Sequence, residues 1–282
     1  MQRAVASFVS HLIVLVVVVL QPVWGGEAQN AFDEGVKYHR AGKLQEAIAA
    51  YTRSIKAEPK AAEGYYNRGM VYYKLGRNEE AIKDFDEALK INTKLTDGYY
   101  NRGNAHFVQK QYDQAIKDYD EVIKQNPKFT KAYNQRGLAY YNLSEYEKAI
   151  HDFDQSQKLN PKDPEVYYSR GLAERRLGKN EVAIKDYTES IKLDAKNAEV
   201  YNNRANAYSL LGKYDEAVKD YDQAIKLDPK NARVYANRGV IRLRQEKSEE
   251  AEKDFKKAAE LDPSLREKLD AMIGDHKSQQ KK

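Results

Sequence analysis

Every 34 residues the chain repeats a polar side chain: Asn67, Asn101, Gln135, Ser169, Asn203 and Asn237, all carboxamides except the serine. Asn104 and Asn206 add two more amides, each three residues beyond a member of that series. A carboxamide both donates and accepts hydrogen bonds, so such a ladder suits the alternating groups of an extended peptide backbone. Asparagine is a poor choice for a helix interior, which asks for a purpose beyond folding. Next to each ladder residue stands a cation: Arg68, Arg102, Arg136, Arg170, Arg204 and Arg238. A row of guanidiniums could bind phosphate, or it could be neutralised from within. The second is favoured by Asp84, Asp118, Asp152, Asp186, Asp220 and Asp254, which follow at a constant offset. The first copy of the pattern has neither partner, with Glu34 and Ala50 instead. Pairing each arginine with the aspartate of the preceding copy would set Arg68 against Ala50 and leave Asp254 alone. Pairing within one copy matches all of them, and a charge beside a packing face needs its partner.

Catalytic chemistry does not accompany these ladders. The five histidines (His11, His39, His106, His151 and His276) never fall at metal-ligand spacing, and there is no cysteine. No glycine-rich phosphate loop, HExxH or GxSxG occurs, and no two carboxylates stand out as an acid/base pair. The sequence points to no enzyme, no metal, no cofactor and no small-molecule substrate. Lysine and arginine (48) barely exceed Asp and Glu (43), so the net charge of +5 is spread thinly and argues against nucleic acid.

The ladders arise because one unit is copied. The word YYNRG occupies 65–69 and returns at 99–103, and an alanine recurs without a slip at 47, 81, 115, 149, 183, 217 and 251. Seven units fill residues 28–61, 62–95, 96–129, 130–163, 164–197, 198–231 and 232–265. A fixed period of this size signals a repeat architecture. Within 62–95, Tyr65, Gly69 and Tyr72 form one apolar stripe at helical spacing; Ala81, Ile82, Phe85, Ala88 and Leu89 form another. Gly76 lies between them, matched by Gly42, Gly178 and Gly212, as a helix end demands. Prolines at 59, 127, 161, 229 and 263 stop the second helix. Arg–Asp bridges in units two to seven would therefore clamp each first helix to its second. Helical spacing puts unit positions 2, 5, 6, 9, 12 and 13 on the side of the first helix that faces away from the second.

An aromatic at unit position 4, Gly at 8, Tyr at 11, Ala at 20, an aromatic at 24 and Pro at 32 resemble the tetratricopeptide repeat. Arginine at position 7 departs from that family's usual leucine. The resemblance implies an all-α, right-handed superhelical solenoid of seven helix-turn-helix repeats, with first helices lining a concave groove. It also implies that the amides at positions 6 and 9 grip an extended partner. Tyr66, Tyr100 and Tyr168 at position 5, and Tyr73, Phe107 and Tyr141 at position 12, would then supply apolar pockets or pack helix to helix. Arg175, Arg176 and Arg244 reach the same groove and would favour an acidic partner segment. Position 5 lacks the lysine that the carboxylate-clamping chaperone subclass needs. Such arrays need a terminal cap, and Leu265, Leu269, Met272 and Ile273 suggest one over 264–273, so that 266–282 form a capping helix and a frayed basic tail.

The N-terminus reads as an export signal over 1–28: Arg3, an apolar run at 12–20, Pro22, then small residues. A membrane anchor over 4–20 is the alternative, although the run is shorter than the roughly 20 residues that span a bilayer. The expected protein is an exported, periplasmic or extracellular scaffold that binds another protein or a peptide. Two other readings stay open. One is a binder of anionic polymers such as envelope polysaccharide, lipid headgroups or nucleic acid, and the other a self-assembling structural subunit.

Overall fold

The computed structural model describes residues 25–280. The expected signal or anchor therefore lies outside the described residues except for 25–28, and Gly26–Ala28 already belong to the first helix. Among the described residues no helix is long and apolar enough to cross a membrane.

Two compact units divide the chain after Ser144, and each is described by itself. The first holds α1 (Gly26–Arg40), α2 (Leu44–Ala57), α3 (Ala62–Lys74), α4 (Asn78–Ile91), α5 (Thr96–Val108), α6 (Tyr112–Gln125) and α7 (Thr130–Asn142). The second holds α8 (Tyr146–Leu159), α9 (Pro164–Arg176), α10 (Asn180–Leu193), α11 (Ala198–Leu210), α12 (Tyr214–Leu227), α13 (Ala232–Arg244) and α14 (Ser248–Leu261). A short 3-10 turn at Pro263–Leu265 leads to α15 (Arg266–Gln280). Within each unit consecutive helices pack antiparallel as hairpins, and each hairpin stacks on the next.

The hairpin closes because a small residue meets a ring. The recurrent alanines, Ala47, Ala81, Ala115, Ala149, Ala183, Ala217 and Ala251, are fully buried. Four residues on, a buried aromatic (Tyr51, Phe85, Tyr119, Tyr187 or Phe255) lies against the glycine of the facing first helix. A Cβ added at Gly103 would stand 2.8 Å from the Tyr119 ring, closer than packed atoms approach. That contact explains a glycine where helix propensity alone would choose alanine.

The turn after each first helix is left-handed in all seven copies. Glycine fills it at Gly42, Gly76, Gly178 and Gly212, whereas Lys110, Ser144 and Glu246 take φ near +60° without that freedom. The geometry is thus imposed by the stacking, since it persists where the local residue opposes it. At the C-terminus Leu265, Leu269, Met272 and Ile273 pack on Ala251, Phe255 and Ala258, closing the last hairpin's apolar face. The helix then runs on to Gln280 where a frayed tail was expected. Gly274 alone, at about 1 kcal/mol, does not end it, and no proline follows.

Candidate protein-binding surface

The arginine in YYNRG is a hub. Arg102 on α5 grips Asp118 on α6 through Nε (3.0 Å) and Nη2 (2.6 Å), the fork geometry that suits a carboxylate. Arg68–Asp84, Arg170–Asp186, Arg204–Asp220 and Arg238–Asp254 repeat the contact. The expected sixth pair, Arg136 with Asp152, spans the boundary between the two units. The remaining nitrogen reaches a partner that sequence reasoning missed. Nη1 of Arg102 donates to Asp86 of the preceding repeat at 2.6 Å, and Arg136–Asp120, Arg170–Asp154 and Arg238–Asp222 do the same. Arg68 and Arg204 find a threonine there, Thr52 and Thr188. The signal was present in the sequence, since these aspartates and threonines hold position 25 of their units, but half-exposed charges on a second helix look like solvated surface. Tyr99 completes the set, its ring centroid 5.5 Å from the Arg102 guanidinium carbon. One arginine therefore ties its own hairpin shut and joins it to the previous one.

The amide ladder does not present a free gripping wall, which corrects the expectation from its spacing. Nδ2 of Asn101 donates to the Tyr66 hydroxyl at 2.9 Å, and Asn203 donates to the Tyr168 hydroxyl at 3.1 Å and to the Glu199 carbonyl at 2.9 Å. Gln135 bonds with the Tyr100 side chain. Asn67 is buried and donates to the Glu63 carbonyl, at 2.9 Å. Asn104 and Asn206 accept from the hydroxyls of Tyr119 and Tyr221 at 2.9 and 2.7 Å. Asn237 lies 3.4 Å from both Asn202 and Asn206. The physical reason is that a buried phenol needs a partner. Position 9 is an amide in two of the four repeats with tyrosine at position 24, those of Tyr119 and Tyr221; it is Val36 and Leu172 in those of Tyr51 and Tyr187, and Met70, Leu138 and Val240 where position 24 is phenylalanine.

The position 5 tyrosines are likewise packing groups, not pockets. Tyr66 and Tyr168 are 3% and 2% exposed, and their rings lie 6.0 Å from Phe85 and 6.1 Å from Tyr187. The Tyr100 ring packs at a tilt against Tyr119 and Phe129. Phe107 is buried against Tyr112, and burial pushes the Tyr73 phenol up to about 12. Tyr141 is half-buried on α7. Burial also raises the phenols of Tyr51, Tyr66, Tyr119 and Tyr221 well above the ordinary value near 10. Above pH 10 the unfolded chain therefore loses protons that the folded chain keeps, so stability must fall as pH rises through that value. Ultraviolet titration of the phenolates should show these buried tyrosines ionising in one steep phase, coincident with loss of helical circular dichroism.

What faces outward on the first helices lies one turn later, at position 13. In the second unit the row reads Arg176, Leu210, Arg244, and Leu210 is 63% exposed, the most exposed large apolar side chain described. In the first unit Arg40, Lys74 and Val108 stand at the same position, with Val108 41% exposed. Sequence reasoning missed both aliphatics because it looked for periodicity, and they are exceptions to it. Arg175, half-buried, has an Nε closed off from solvent and without a hydrogen-bond partner. Among the described residues no three metal-ligating side chains cluster.

Helical hairpins of fixed length, each stacked on the last, define a protein of the helical-repeat class. Residues 61–280 match the family model of the cilia and flagella-associated protein 70 C-terminal domain, and 35–76 match the TPR repeat model. The chain belongs to that family of tetratricopeptide-repeat proteins. Among solved structures, MamA is 27% identical with a TM-score of 0.58, covering 61% of this chain and 94% of its own. A tetratricopeptide-repeat protein from Parabacteroides merdae is 24% identical with a TM-score of 0.67, covering 88% and 99%. YrrB, described as a TPR protein with an unusual peptide-binding site, is 20% identical with a TM-score of 0.58, covering 71% and 100%. The last two likenesses show the fold alone. The comparison with curated proteins yields no match.

Proposed function

We propose that the chain is a non-catalytic scaffold, exported by its N-terminal segment, that binds another protein through the last turns of its first helices. The observation that carries this reading is the Arg176–Leu210–Arg244 row. Cations near a helix C-terminus gain a little from the macrodipole, but an exposed leucine between them gains nothing from folding. An apolar side chain rimmed by charge is the composition of an interface anchor. The peptide-binding site named for YrrB is consistent with such a use of the fold. The amides serve this surface indirectly, by holding adjacent first helices in register.

Leu210→Glu should leave the helical content intact and reduce capture of the partner from an envelope extract about tenfold or more, as loss of a central anchor does. Asn203→Ala should instead lower thermal stability, by removing the amide's bonds to the Tyr168 hydroxyl and the Glu199 carbonyl, and leave capture nearly unchanged. Equal capture by the wild-type and Leu210→Glu chains would sink the reading. Export is tested by the mass of the mature chain, which should lack the leader.

A further inference from the structure

α1 begins at Gly26, directly after Gly25, whose backbone is extended at φ −57° and ψ 145°. Gly25, Gly26 and Glu27 are exposed, whereas Ala28 is only 3% exposed. The Ala28 carbonyl also carries a bond of the fold. Ser54 on α2, 1% exposed, donates its hydroxyl to that carbonyl at 3.0 Å. Ser190 does the same to the Pro164 carbonyl at 2.8 Å, at the matching place in another repeat. Ala28 is therefore part of the first hairpin, as Pro164 is of its own.

A leader peptidase cuts after a small residue that has another compact residue two places before it. Two bonds qualify: the one after Ala28, with Gly26 before it, and the one after Gly25, with Val23 before it. Residue type alone favours the first. A cut there would remove the opening residues of α1 and leave the buried Ser54 hydroxyl without its acceptor, which is costly. It would also remove Glu27, the acid in the first turn, and set a new ammonium against the helix dipole without it. A cut after Gly25 keeps Ala28 in place and Glu27 beside the new ammonium. The backbone agrees, because a peptidase needs an extended substrate. Gly25 already is one, whereas Gly26–Ala28 are wound into α1 and must first open.

We infer that Gly25–Gly26 is the processing bond, hydrolysed by a peptidase that accepts small side chains, so that the mature chain begins at Gly26. Water adds across the amide, leaving a carboxylate on Gly25 and an ammonium on Gly26. The inference rests on the N-terminal segment being a cleaved leader, and it shortens that leader from 1–28 to 1–25.

N-terminal sequencing and intact mass of the full-length gene product, recovered from its own cells, test this. The chain should begin at Gly26. Gly25→Leu should abolish that terminus, and Ala28→Leu should leave it in place; both readouts concern processing and do not depend on how well the variant folds. A wild-type terminus at Gln29 or any other internal residue would overturn the assigned bond and leave the leader standing. Persistence of the Gly26 terminus in Gly25→Leu, or its loss in Ala28→Leu, would overturn the assignment as well. A chain that still begins at Met1 would overturn the bond and the cleaved leader together.

Discussion

Arg102→Leu should destabilise the protein by about 3–5 kcal/mol, the usual cost of leaving a buried charge without its partner. Asp118 is 3% exposed and loses both guanidinium contacts at once, while Asp86 of the previous repeat loses its link. Because Arg102 joins two hairpins, the urea transition should also broaden, as neighbouring repeats come apart independently. Adding Asp118→Leu should recover most of the loss, since an apolar pair of similar volume tolerates burial better than a lone carboxylate does. Arg204→Leu makes an internal control. Its cross-repeat partner is the neutral Thr188, so its own hairpin should suffer while the broadening is smaller. Equal, sub-kilocalorie effects at both sites would show that the arginine hubs contribute little.

The second large effect is steric. Gly103→Val should cost about 3 kcal/mol through overpacking against Tyr119, whose ring already lies 2.8 Å from where a Cβ would stand. Gly103→Ala should cost far less, because the helix-propensity gain of about 1 kcal/mol offsets part of the clash. The chain contains its own precedent: Ala205 occupies this position opposite the buried Tyr221. Thermal denaturation of the three proteins should rank them wild type, alanine, valine. A valine variant as stable as wild type would mean that the two helices are not held at the distance described.

The repeat, its two helices, its turn and its family were all legible in the residues, because a pattern copied seven times averages out local accidents. Legibility failed where one residue type serves two purposes. The amides of Asn101 and Asn203 looked like a gripping wall because their spacing is regular, yet regular spacing is equally what internal phenol caps require. A finer signal was available in part: the position 9 amides, Asn104 and Asn206, occur only in repeats with a tyrosine at position 24, Tyr119 and Tyr221, although Tyr51 and Tyr187 have Val36 and Leu172 instead. The cross-repeat partner of the arginine, such as Asp86 for Arg102, was equally periodic but hidden among exposed charges. Leu210, like Val108, was invisible for the opposite reason, being a departure from a row of polar residues.

Site-specific photocrosslinking tests the central claim most directly. A photoreactive phenylalanine analogue would be placed at position 210 on α11, or at the exposed position 219 on α12, in the full chain produced in its own cells. A discrete adduct of higher mass is expected from position 210 and none from position 219. An adduct from position 219 with none from 210 would contradict the account, because the partner would then be riding on the second helices.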